Sequence, residues 1–223
     1  MKVAAVIPAY NEASAVIPVV KAVRGAVDSV IVVNDGSSDD TAVLAVNAGA
    51  IVLSHVLNRG QGAALQTGIS FAVSAGFDAI VTFDADGQHR ADEIASVLAP
   101  IIRNEADVVL GSRFLNSKTN IPVTRGLVLK AATALTRLYT GLAVTDAHNG
   151  FRAFSHRAAS MIDLQQEGMA HASEVLEQVK RFRLRYVEVP VTIMYTDYSL
   201  SKGQRLTNAF KIVWELLLGR VVR

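Results

Sequence analysis

The segment AIVTFDADGQH at residues 79–89 joins a short apolar run to two aspartates that stand two positions apart. The apolar run predicts a buried strand, because both of its faces are hydrophobic. Similar runs occur at residues 3–7, 29–33, 50–54 and 107–111, with helix-length segments between them. This alternation of strands and helices predicts a mostly parallel, Rossmann-like α/β sheet that is flanked by helices on both faces.

Polar residues follow each of these predicted strands. Ligands bind open α/β sheets at the carboxyl ends of the strands, so we expect the loops that follow the strands to converge on one site. In chain order the loops carry PAYNE at 8–12, NDGSSDD at 34–40, NRGQG at 58–62, DADGQH at 84–89 and GSR at 111–113.

The second half of the chain departs from the regular alternation. Its patterns predict a helix at 122–140, a strand near 150–155, a helix near 171–182, a strand at 185–190 and a terminal helix from about 204. We interpret this half as an acceptor-side elaboration of one domain. The predicted domain covers residues 1–200, and an amphipathic helix occupies 201–223.

Composition limits the chemistry and the partners of the protein. The 223 residues include no cysteine, which excludes disulfides and thiolate metal sites. A net charge of +2 gives no indication of nucleic-acid binding. The apolar run near the N-terminus is too short for a signal segment or a membrane span, so we expect a cytoplasmic protein. Basic residues are concentrated late in the chain, where we expect them to face anionic lipid.

The aspartate pair indicates a divalent metal site. Asp84 and Asp86 follow a buried strand, and Gln88 adds a neutral oxygen donor. Mg²⁺ and Mn²⁺ prefer carboxylate oxygens and often bridge them to substrate phosphates. The alternative is a turn that caps the next helix, since Asp and Gly favour such turns. The position of the pair at a strand end, beside other polar loops, favours the metal site.

Two other loops suggest nucleotide contacts. Asp35 lies close to the end of its strand, where its carboxylate is placed to accept hydrogen bonds from a base or a ribose. The residues after it, Ser37 to Asp40, are expected only to form a turn and cap a helix. Gly60 and Gly62, with Arg59, suit a phosphate or sugar at a helix N-terminus, and a purely structural turn is the alternative.

The histidines show no spacing that predicts a zinc site. Of the five, His89 is expected to lie near a bound phosphate because it belongs to the loop with the aspartate pair. We expect the others at the surface or at helix caps; they are His55, His148, His156 and His171.

Taken in order, the loop motifs resemble those of the family 2 glycosyltransferases. The likeness rests on PAYNE, NDGSSDDT, NRGQGAAL, FDADGQH and GSR, followed by DAHNGFRAF at 146–154. It is strongest to the branch that contains dolichol-phosphate mannose synthases and undecaprenyl-phosphate sugar transferases, and it covers about residues 2–200. The resemblance implies a GT-A fold and a metal-dependent hexosyltransferase.

The resemblance also implies roles for individual residues. The nucleotide pocket would involve Pro8, Ala9, Tyr10, Glu12, Asp35, Gly62, Asp84 and Ala85. The metal would be held by Asp84, Asp86 and Gln88. The acceptor phosphate or sugar would meet Arg113, Arg125, Lys130, Gly150, Phe151, Arg152 and Lys202. The residues closest to the chemistry would be Asp86, Arg113 and Asp146.

The implied reaction is inverting transfer of a hexose or N-acetylhexosamine from a UDP- or GDP-sugar to a polyprenyl phosphate such as undecaprenyl or dolichyl phosphate, as part of glycan biosynthesis. The first alternative is transfer to a sugar hydroxyl, for which Asp146 would be the base. A second is a non-catalytic subunit that binds a nucleotide-sugar, and the intact aspartate pair argues against it. Where the family often has a small hydroxyl residue or glycine, this chain has Asn149, preceded by His148.

The last segment, RLTNAFKIVWELLLGRVVR at 205–223, predicts an amphipathic helix with a broad apolar arc. Such a helix suits a membrane surface or a small integral membrane partner, and closure of the protein's own core is the alternative. Lys202 precedes it, either as a phosphate contact or as a solvated charge. We therefore expect a peripheral protein on the cytoplasmic face of a membrane.

Overall fold

The computed structural model describes residues 1–115, 121, 123–168 and 170–195, without the side chains of Val123 and Arg125. Two predicted features, Lys202 and the amphipathic helix at 201–223, lie outside the described residues.

The first half of the chain alternates strands and helices as predicted. Its elements are β1 (Val3–Ala9), α1 (Val16–Arg24), β2 (Ser29–Asn34), α2 (Thr41–Asn47), β3 (Ile51–Ser54), α3 (Gln61–Ser74), β4 (Ala79–Thr82), α4 (Ile94–Ile102) and β5 (Val108–Ser112). Short 3₁₀ turns precede α4 and follow β5, at Ala91–Glu93 and Arg113–Leu115.

Up to residue 195, the second half contains the predicted helices and strands and one more helix. It comprises α5 (Val123–Thr140), β6 (Arg152–Ser155), α6 (His156–Met161), α7 (His171–Arg181) and β7 (Tyr186–Pro190). The sequence analysis missed α6, a short helix that follows β6 directly. The hydroxyl of Ser155 accepts a hydrogen bond from the backbone N–H of Ala158, so Ser155 ends the strand and caps the helix.

The described strands form one seven-stranded sheet in the order β3-β2-β1-β4-β6-β5-β7. Every neighbouring pair is parallel except the two that involve β6, which runs antiparallel to β4 and to β5. Reversal of β6 brings its first residue, Arg152, opposite Thr82 of β4 and Leu110 of β5. The loop that leads into β6 therefore lies at the same sheet edge as the carboxyl ends of the parallel strands.

Helices cover both faces of the sheet, which confirms the predicted fold class. One apolar layer joins the sheet to α1, α2 and α4, and the other joins it to α3, α6 and α7. The apolar side of α1 is the predicted one, since Val16, Val19, Val20 and Val23 are all buried. Each such valine contributes about 1.5–3 kcal/mol by leaving water.

The prediction that β3 is buried was wrong. Its residues are half-buried or exposed, and Ile51 keeps 41% of its surface accessible. Among the described strands β3 pairs only with β2, so it forms an edge of the sheet. A run of apolar residues does not distinguish an edge strand from a central one, because the sequence does not contain the strand order.

Candidate functional site

Asp84 lies at the carboxyl end of β4 and is held by two side chains. Its Oδ2 accepts a hydrogen bond from His89 Nε2 at 2.9 Å, and its Oδ1 accepts one from Gln61 Nε2 at 2.9 Å. Burial tends to raise the pKa of Asp84, but the charge and hydrogen bond of His89 outweigh it and leave this pKa below its usual range. The carboxylate is therefore ionised, and its side chain remains 28% exposed.

Asp86 has less compensation for its charge. Burial, together with the negative charges of Asp84 and Glu12, raises the pKa of Asp86 to about 6. Its Oδ1 accepts a hydrogen bond from the backbone N–H of Gln88 at 3.0 Å. A carboxylate destabilised by another negative charge is a favourable place for a cation.

The donor set fits Mg²⁺ or Mn²⁺ that shares its ligands with a substrate. Among the described residues, no group of three or more His, Cys, Asp or Glu side chains is arranged to hold a metal ion. Mg²⁺ usually takes one or two protein carboxylates and completes its coordination with water and substrate phosphates. The carboxylates of Asp84 and Asp86 meet that requirement, and the side-chain oxygen of Gln88 is the next candidate ligand.

His89 does not have the role predicted for it. Its side chain is only 3% exposed, and Nε2 is occupied by Asp84. The ring packs against Phe83 and Phe151, with ring centroids 5.3 and 5.1 Å away. His89 therefore orients Asp84 from within the protein and is not placed to touch a phosphate.

A buried ion pair lies at the end of β5. Arg113 Nε donates to Asp146 Oδ2 at 2.6 Å, and the backbone N–H of Arg113 donates to the same oxygen at 3.1 Å. The two side chains are 8% and 0% exposed. Burial alone would lower the pKa of Arg113, but the negative charge of Asp146 outweighs burial. The pKa of Arg113 is therefore above its usual value.

The remaining nitrogens of Arg113 make only long contacts among the described residues. Nη1 donates to the hydroxyl of Tyr195, and Nη2 donates to the carbonyl of His148, both at 3.4 Å. Such distances are near the limit of a hydrogen bond. The outer edge of the guanidinium therefore retains capacity to bind an anion, while Asp146 fixes its inner edge.

Glu188 on β7 holds the turn that carries Asp146, and the sequence analysis missed this residue. Both carboxylate oxygens accept from the backbone N–H of Thr145 at 2.8 Å. Oε1 also accepts from the Thr145 hydroxyl at 3.0 Å and from the backbone N–H of Asp146 at 3.1 Å. The contact spans more than 40 positions of sequence, and no local motif indicates it.

The loop 146–150 connects the ion pair to the aspartates. Gly150 lies against Asp84, because a Cβ atom built on Gly150 would be 2.7 Å from Asp84 Oδ2. The carbonyl of Gly150 accepts a hydrogen bond from the Thr82 hydroxyl at 2.7 Å, which fixes the end of the loop on β4. Glycine is required here for close approach, and any side chain would displace the Asp84 carboxylate.

Phe151 and Arg152 lie behind this loop and not on its outer surface. Both are buried, and Arg152 donates to the carbonyls of Asn149, Ala147 and Ala172 at 2.9, 3.0 and 3.3 Å. Burial lowers the pKa of Arg152 to about 10. Through these contacts Arg152 supports the 146–150 loop from behind. Neither Phe151 nor Arg152 faces the position expected for the acceptor substrate.

The predicted nucleotide residues lie on the neighbouring loops. Each oxygen of the buried Asp35 carboxylate is engaged: Oδ1 by His55 Nδ1 at 2.7 Å and the backbone N–H of Arg59 at 2.9 Å, and Oδ2 by the N–H of Gly60 at 2.7 Å. Asp35 thus organises the β3–α3 loop. A base contact by this carboxylate stays a prediction.

Gly62 is placed differently from the sequence prediction. Its backbone N–H donates to the carbonyl of Glu167 at 2.8 Å, and a Cβ atom here would be 1.9 Å from the carbonyl oxygen of Gln166. The close approach that this glycine permits is therefore to the segment before α7. A nucleotide phosphate cannot use the same N–H.

The first two loops are joined side by side. The backbone N–H of Asn11 donates to the Ser37 hydroxyl at 2.9 Å, and that of Glu12 donates to the Thr41 hydroxyl at 2.8 Å. Asp39 accepts from the N–H of Thr41 at 3.0 Å and so forms the predicted turn before α2, whereas the N-cap residue, Asp40, makes no side-chain cap hydrogen bond.

The other predicted nucleotide residues differ in how much they present to a ligand. Ala9 and Ala85 are buried in the core, Pro8 is half-buried, and Tyr10 is exposed. Only the backbone of the two alanines is available to a nucleotide.

His171 is buried and His148 is half-buried, contrary to the prediction that they lie at the surface or in caps. Burial, with the nearby positive charge of Arg152, lowers the pKa of His171 to about 4, and its Nδ1 donates to the carbonyl of Gly168 at 2.8 Å. Burial also lowers the pKa of His148 to about 4. Sequence spacing did not reveal the burial of His171, because this residue packs close to Gly62, which is distant from it in the chain.

Of the weaker acceptor candidates Arg125, Lys130 and Lys202, the structure describes the side chain of Lys130 alone. Lys130 is exposed on α5, with its Nζ 5.6 Å from the centre of the Phe114 ring. Arg125 belongs to α5, but its side chain is outside the described residues, as is Lys202. Among the described helices, none combines the length and hydropathy needed to cross a bilayer.

Comparisons with known proteins agree with this geometry. Residues 4–162 match the model of "Glycosyl transferase family 2". The chain is 36% identical to the UDP-N-acetylglucosamine–dolichyl-phosphate N-acetylglucosaminyltransferase of Methanococcus voltae, covering 96% of this chain and 94% of that protein. It is 32% identical to the undecaprenyl-phosphate mannosyltransferase of Micrococcus luteus, covering 91% and 87%.

A solved structure with a similar fold is glucosyl-3-phosphoglycerate synthase from Mycobacterium tuberculosis, in complex with Mn²⁺, UDP and glucosyl-3-phosphoglycerate. The TM-score is 0.76 at 20% identity, over 97% of this chain and 77% of that one, and the likeness confirms the GT-A fold. The match to the family model and to these full-length relatives decides the family. This chain is a member of glycosyl transferase family 2.

Proposed function

We propose that this protein is a metal-dependent, inverting glycosyltransferase that moves a hexose or N-acetylhexosamine from a nucleotide-sugar to a polyprenyl phosphate. The observation that carries the proposal is the buried pair of Arg113 and Asp146 beside the aspartates that follow β4. The pair provides a fixed cation for an anionic acceptor and engages the carboxylate of Asp146, which would otherwise be the candidate base.

The donor side of the reaction requires neutralisation of a leaving nucleotide diphosphate. Asp84 and Asp86, with Gln88, would hold Mg²⁺ or Mn²⁺, which would stabilise the charge that develops on the leaving group. His89 and Gln61 keep the Asp84 carboxylate in one orientation through hydrogen bonds of 2.9 Å to its two oxygens. These two side chains therefore hold the Asp84 carboxylate in place before a metal or a donor binds.

The acceptor side follows from the hydrogen bonds of Asp146. Its Oδ2 is occupied by Arg113, and its Oδ1 accepts from the backbone N–H of His148 at 3.3 Å. An acceptor hydroxyl would need a general base, whereas a lipid phosphate is already anionic near neutral pH. The outer nitrogens of Arg113 would orient the phosphate, one of whose oxygens attacks the anomeric carbon as the bond to the nucleotide diphosphate breaks.

Named relatives support the same acceptor class. The two full-length relatives described above carry names in which the acceptor is dolichyl phosphate or undecaprenyl phosphate. The transferred sugars in these names differ, N-acetylglucosamine in one and mannose in the other, so the names support the class of acceptor and leave several donor sugars to be tested.

The same acceptor would place the protein at a membrane. A long-chain polyprenyl phosphate resides in a bilayer, so the enzyme would work as a peripheral protein on the cytoplasmic face of a membrane. The amphipathic segment 201–223 would provide the contact, either with lipid or with a small integral membrane protein.

Transfer of radiolabel into an extractable lipid tests the proposed function. Purified protein would be incubated with undecaprenyl or dolichyl phosphate and a panel of UDP- and GDP-sugars, with Mg²⁺, Mn²⁺ or EDTA. We expect one donor to label the lipid, and we expect EDTA and Asp86→Ala each to reduce labelling at least about 100-fold. Asp92→Ala, an exposed aspartate beyond the same loop, is the matched control and should retain activity.

Two results would contradict the proposal. Transfer to a saccharide hydroxyl without any labelling of lipid would return Asp146 to the role of base. Undiminished lipid labelling in EDTA and in Asp86→Ala would remove the metal from the mechanism.

A further inference from the structure

His148 occupies the middle of the loop that joins the two halves of the site. At one end of the loop, Asp146 binds Arg113, and at the other end Gly150 lies against Asp84. The carbonyl of His148 accepts from Arg113 Nη2 at 3.4 Å. In the proposed reaction, the sugar must lie between the metal-bound diphosphate and the acceptor phosphate, and His148 lies on the loop that spans that interval.

The imidazole ring of His148 has unmet hydrogen-bonding capacity. Its Nδ1 and Nε2 are shielded from solvent, and neither has a hydrogen-bond partner in the described part of the chain. Buried polar groups in native proteins normally have partners, and an exception calls for a bound ligand, a water or a functional reason. The residue as a whole is only half-buried, so a small rotation of the ring would bring the nitrogens to the surface of the site.

The charge state of the ring restricts what it binds. Because burial and the nearby Arg152 and Arg113 keep the pKa of His148 near 4, the ring is neutral at cellular pH and offers one N–H donor and one nitrogen acceptor. A phosphate at this pH chiefly accepts hydrogen bonds and would leave the second nitrogen unpaired. Sugar hydroxyls both donate and accept, so a pair of them satisfies both nitrogens.

We propose that His148 binds hydroxyl groups of the donor sugar and thereby contributes to the choice of sugar. The inference rests on the proposed function for the position of the sugar between diphosphate and acceptor. It assigns a contact to the residue that precedes Asn149, the position at which this chain departs from the pattern of the family that it resembles. Asn149 contributes differently, since its Oδ1 accepts from the backbone N–H of Phe151 at 3.0 Å and stabilises the loop.

The experiment compares binding of nucleotide with binding of nucleotide-sugar. Thermal melting of the full chain would be measured alone, with UDP or GDP and Mn²⁺, and with UDP-glucose, UDP-N-acetylglucosamine or GDP-mannose and Mn²⁺. The variants are His148→Leu, which removes both polar atoms, and His148→Gln, which restores a donor and an acceptor. His156→Leu is the control, because His156 lies on α6, away from the site, and its ring donates to the carbonyl of Phe77.

We expect His148→Leu to melt at the same temperature as the wild type or higher without ligand, since an unpaired buried ring is replaced by an apolar side chain. Stabilisation by the nucleotide alone should persist, while the extra stabilisation contributed by the sugar should disappear. Loss of two hydrogen bonds should raise the KM for the accepted donor about 10-fold, and His148→Gln should recover part of it. The ratio of kcat/KM between two donor sugars should also change.

Separate outcomes overturn this inference and the proposed function. A melting temperature that falls in His148→Leu while the sugar increment and the donor preference stay unchanged would show that the ring serves only the fold. Failure of the wild type to label lipid, with the sugar increment still dependent on His148, would overturn the lipid acceptor and leave the sugar contact standing.

Discussion

Asp86 lies close enough to other acidic groups that its own charge is costly in the absence of a metal. The pKa of this carboxyl is raised to about 6 by burial and by Asp84, whereas an aspartate in an unfolded chain has a pKa of about 3.9. The folded state therefore binds more protons than the unfolded state between these two values. The contribution of Asp86 to stability is greatest below pH 4 and is lost as the pH rises through 6.

This residue gives a pH-dependent prediction for the metal-free protein. At pH 8, Asp86→Asn should unfold with a free energy about 2–3 kcal/mol greater than that of the wild type, because one pKa unit corresponds to about 1.4 kcal/mol. The difference should vanish below about pH 3, where the wild-type carboxyl is protonated in both the folded and the unfolded state. Urea denaturation in EDTA at a series of pH values measures it, and Mn²⁺ with nucleotide should stabilise the wild type more than the variant.

Asp107, directly before β5, provides a control with the opposite sign. Hydrogen bonds from Arg185 keep the pKa of Asp107 below its usual range. Stability contributed by Asp107 is therefore present at neutral pH and lost on acidification, so Asp107→Asn should destabilise the protein at pH 8. A stability gain for Asp107→Asn, or a loss for Asp86→Asn, would show that the assigned charge environments are wrong.

The sequence predicted which residues belong to the site more readily than it predicted which residues they contact. The D-x-D pair and the strand before it are adjacent in the chain, so a local pattern contains both. Glu188 meets Thr145 across 43 positions, and the turn at Asp146 depends on this contact. Buried pairs of this kind follow from the three-dimensional arrangement, and one sequence alone provides no signal for them.

At the scale of elements, β7 acts on the site without reaching the substrate. β7 pairs with β5, and Glu188 lies opposite Leu110 in that pairing. From this strand its carboxylate orders the turn that holds Asp146, which in turn fixes the inner edge of Arg113. A positioning effect therefore passes from an edge strand to the acceptor cation through two sets of hydrogen bonds.

Substitution of Glu188 tests this dependence. In Glu188→Ala, backbone N–H groups of Thr145 and Asp146 lose their acceptor, at a cost of about 1–3 kcal/mol if they stay buried. We expect KM for the polyprenyl phosphate to rise about 10-fold or more, with little change in KM for the nucleotide-sugar. Steady-state kinetics with each substrate varied in turn measure the two constants.

Controls for this prediction separate positioning from general instability. Glu188→Gln keeps one carbonyl acceptor and should show a smaller effect. Glu105→Gln changes an exposed glutamate that pairs with Arg103, and both KM values should stay at the wild-type level. An equal rise in both KM values for Glu188→Ala, in proportion to lost stability, would contradict a specific role at the acceptor side.

The types of the elements were predicted well because hydrophobic periodicity is a local property of the sequence. The order of the strands was not predicted, because it depends on pairing between distant segments. The antiparallel β6 carries the DAHNGF segment to the carboxyl edge of the sheet, and its direction cannot be read from RAFS at 152–155. The same limit explains why β3 was predicted as buried although it lies at an edge. The convergence of the loops was predictable from the α/β pattern itself.

At the scale of the whole molecule, the proposed acceptor lies in a membrane, so the catalytic domain must reach a membrane surface. None of its described helices is long and apolar enough to cross a bilayer. The sequence at 205–223 is the part of the chain best suited to that contact, since Val213 and Leu217 lie at the centre of its predicted apolar arc while Asn208 lies opposite. Transfer of a leucine-sized side chain out of water contributes about 1.5–3 kcal/mol to such a contact.

A matched pair of substitutions tests the arc, because each adds one negative charge to the same predicted helix. Leu217→Glu should reduce binding to anionic lipid vesicles at least about 10-fold, together with transfer to vesicle-bound polyprenyl phosphate, whereas Asn208→Glu should have little effect on either. Both variants should keep wild-type melting temperatures and stabilisation by nucleotide with Mn²⁺. If Leu217→Glu instead lowered the melting temperature and the activity toward a short, water-soluble prenyl phosphate, the arc would belong to the core of the protein, and the membrane contact would have to lie elsewhere.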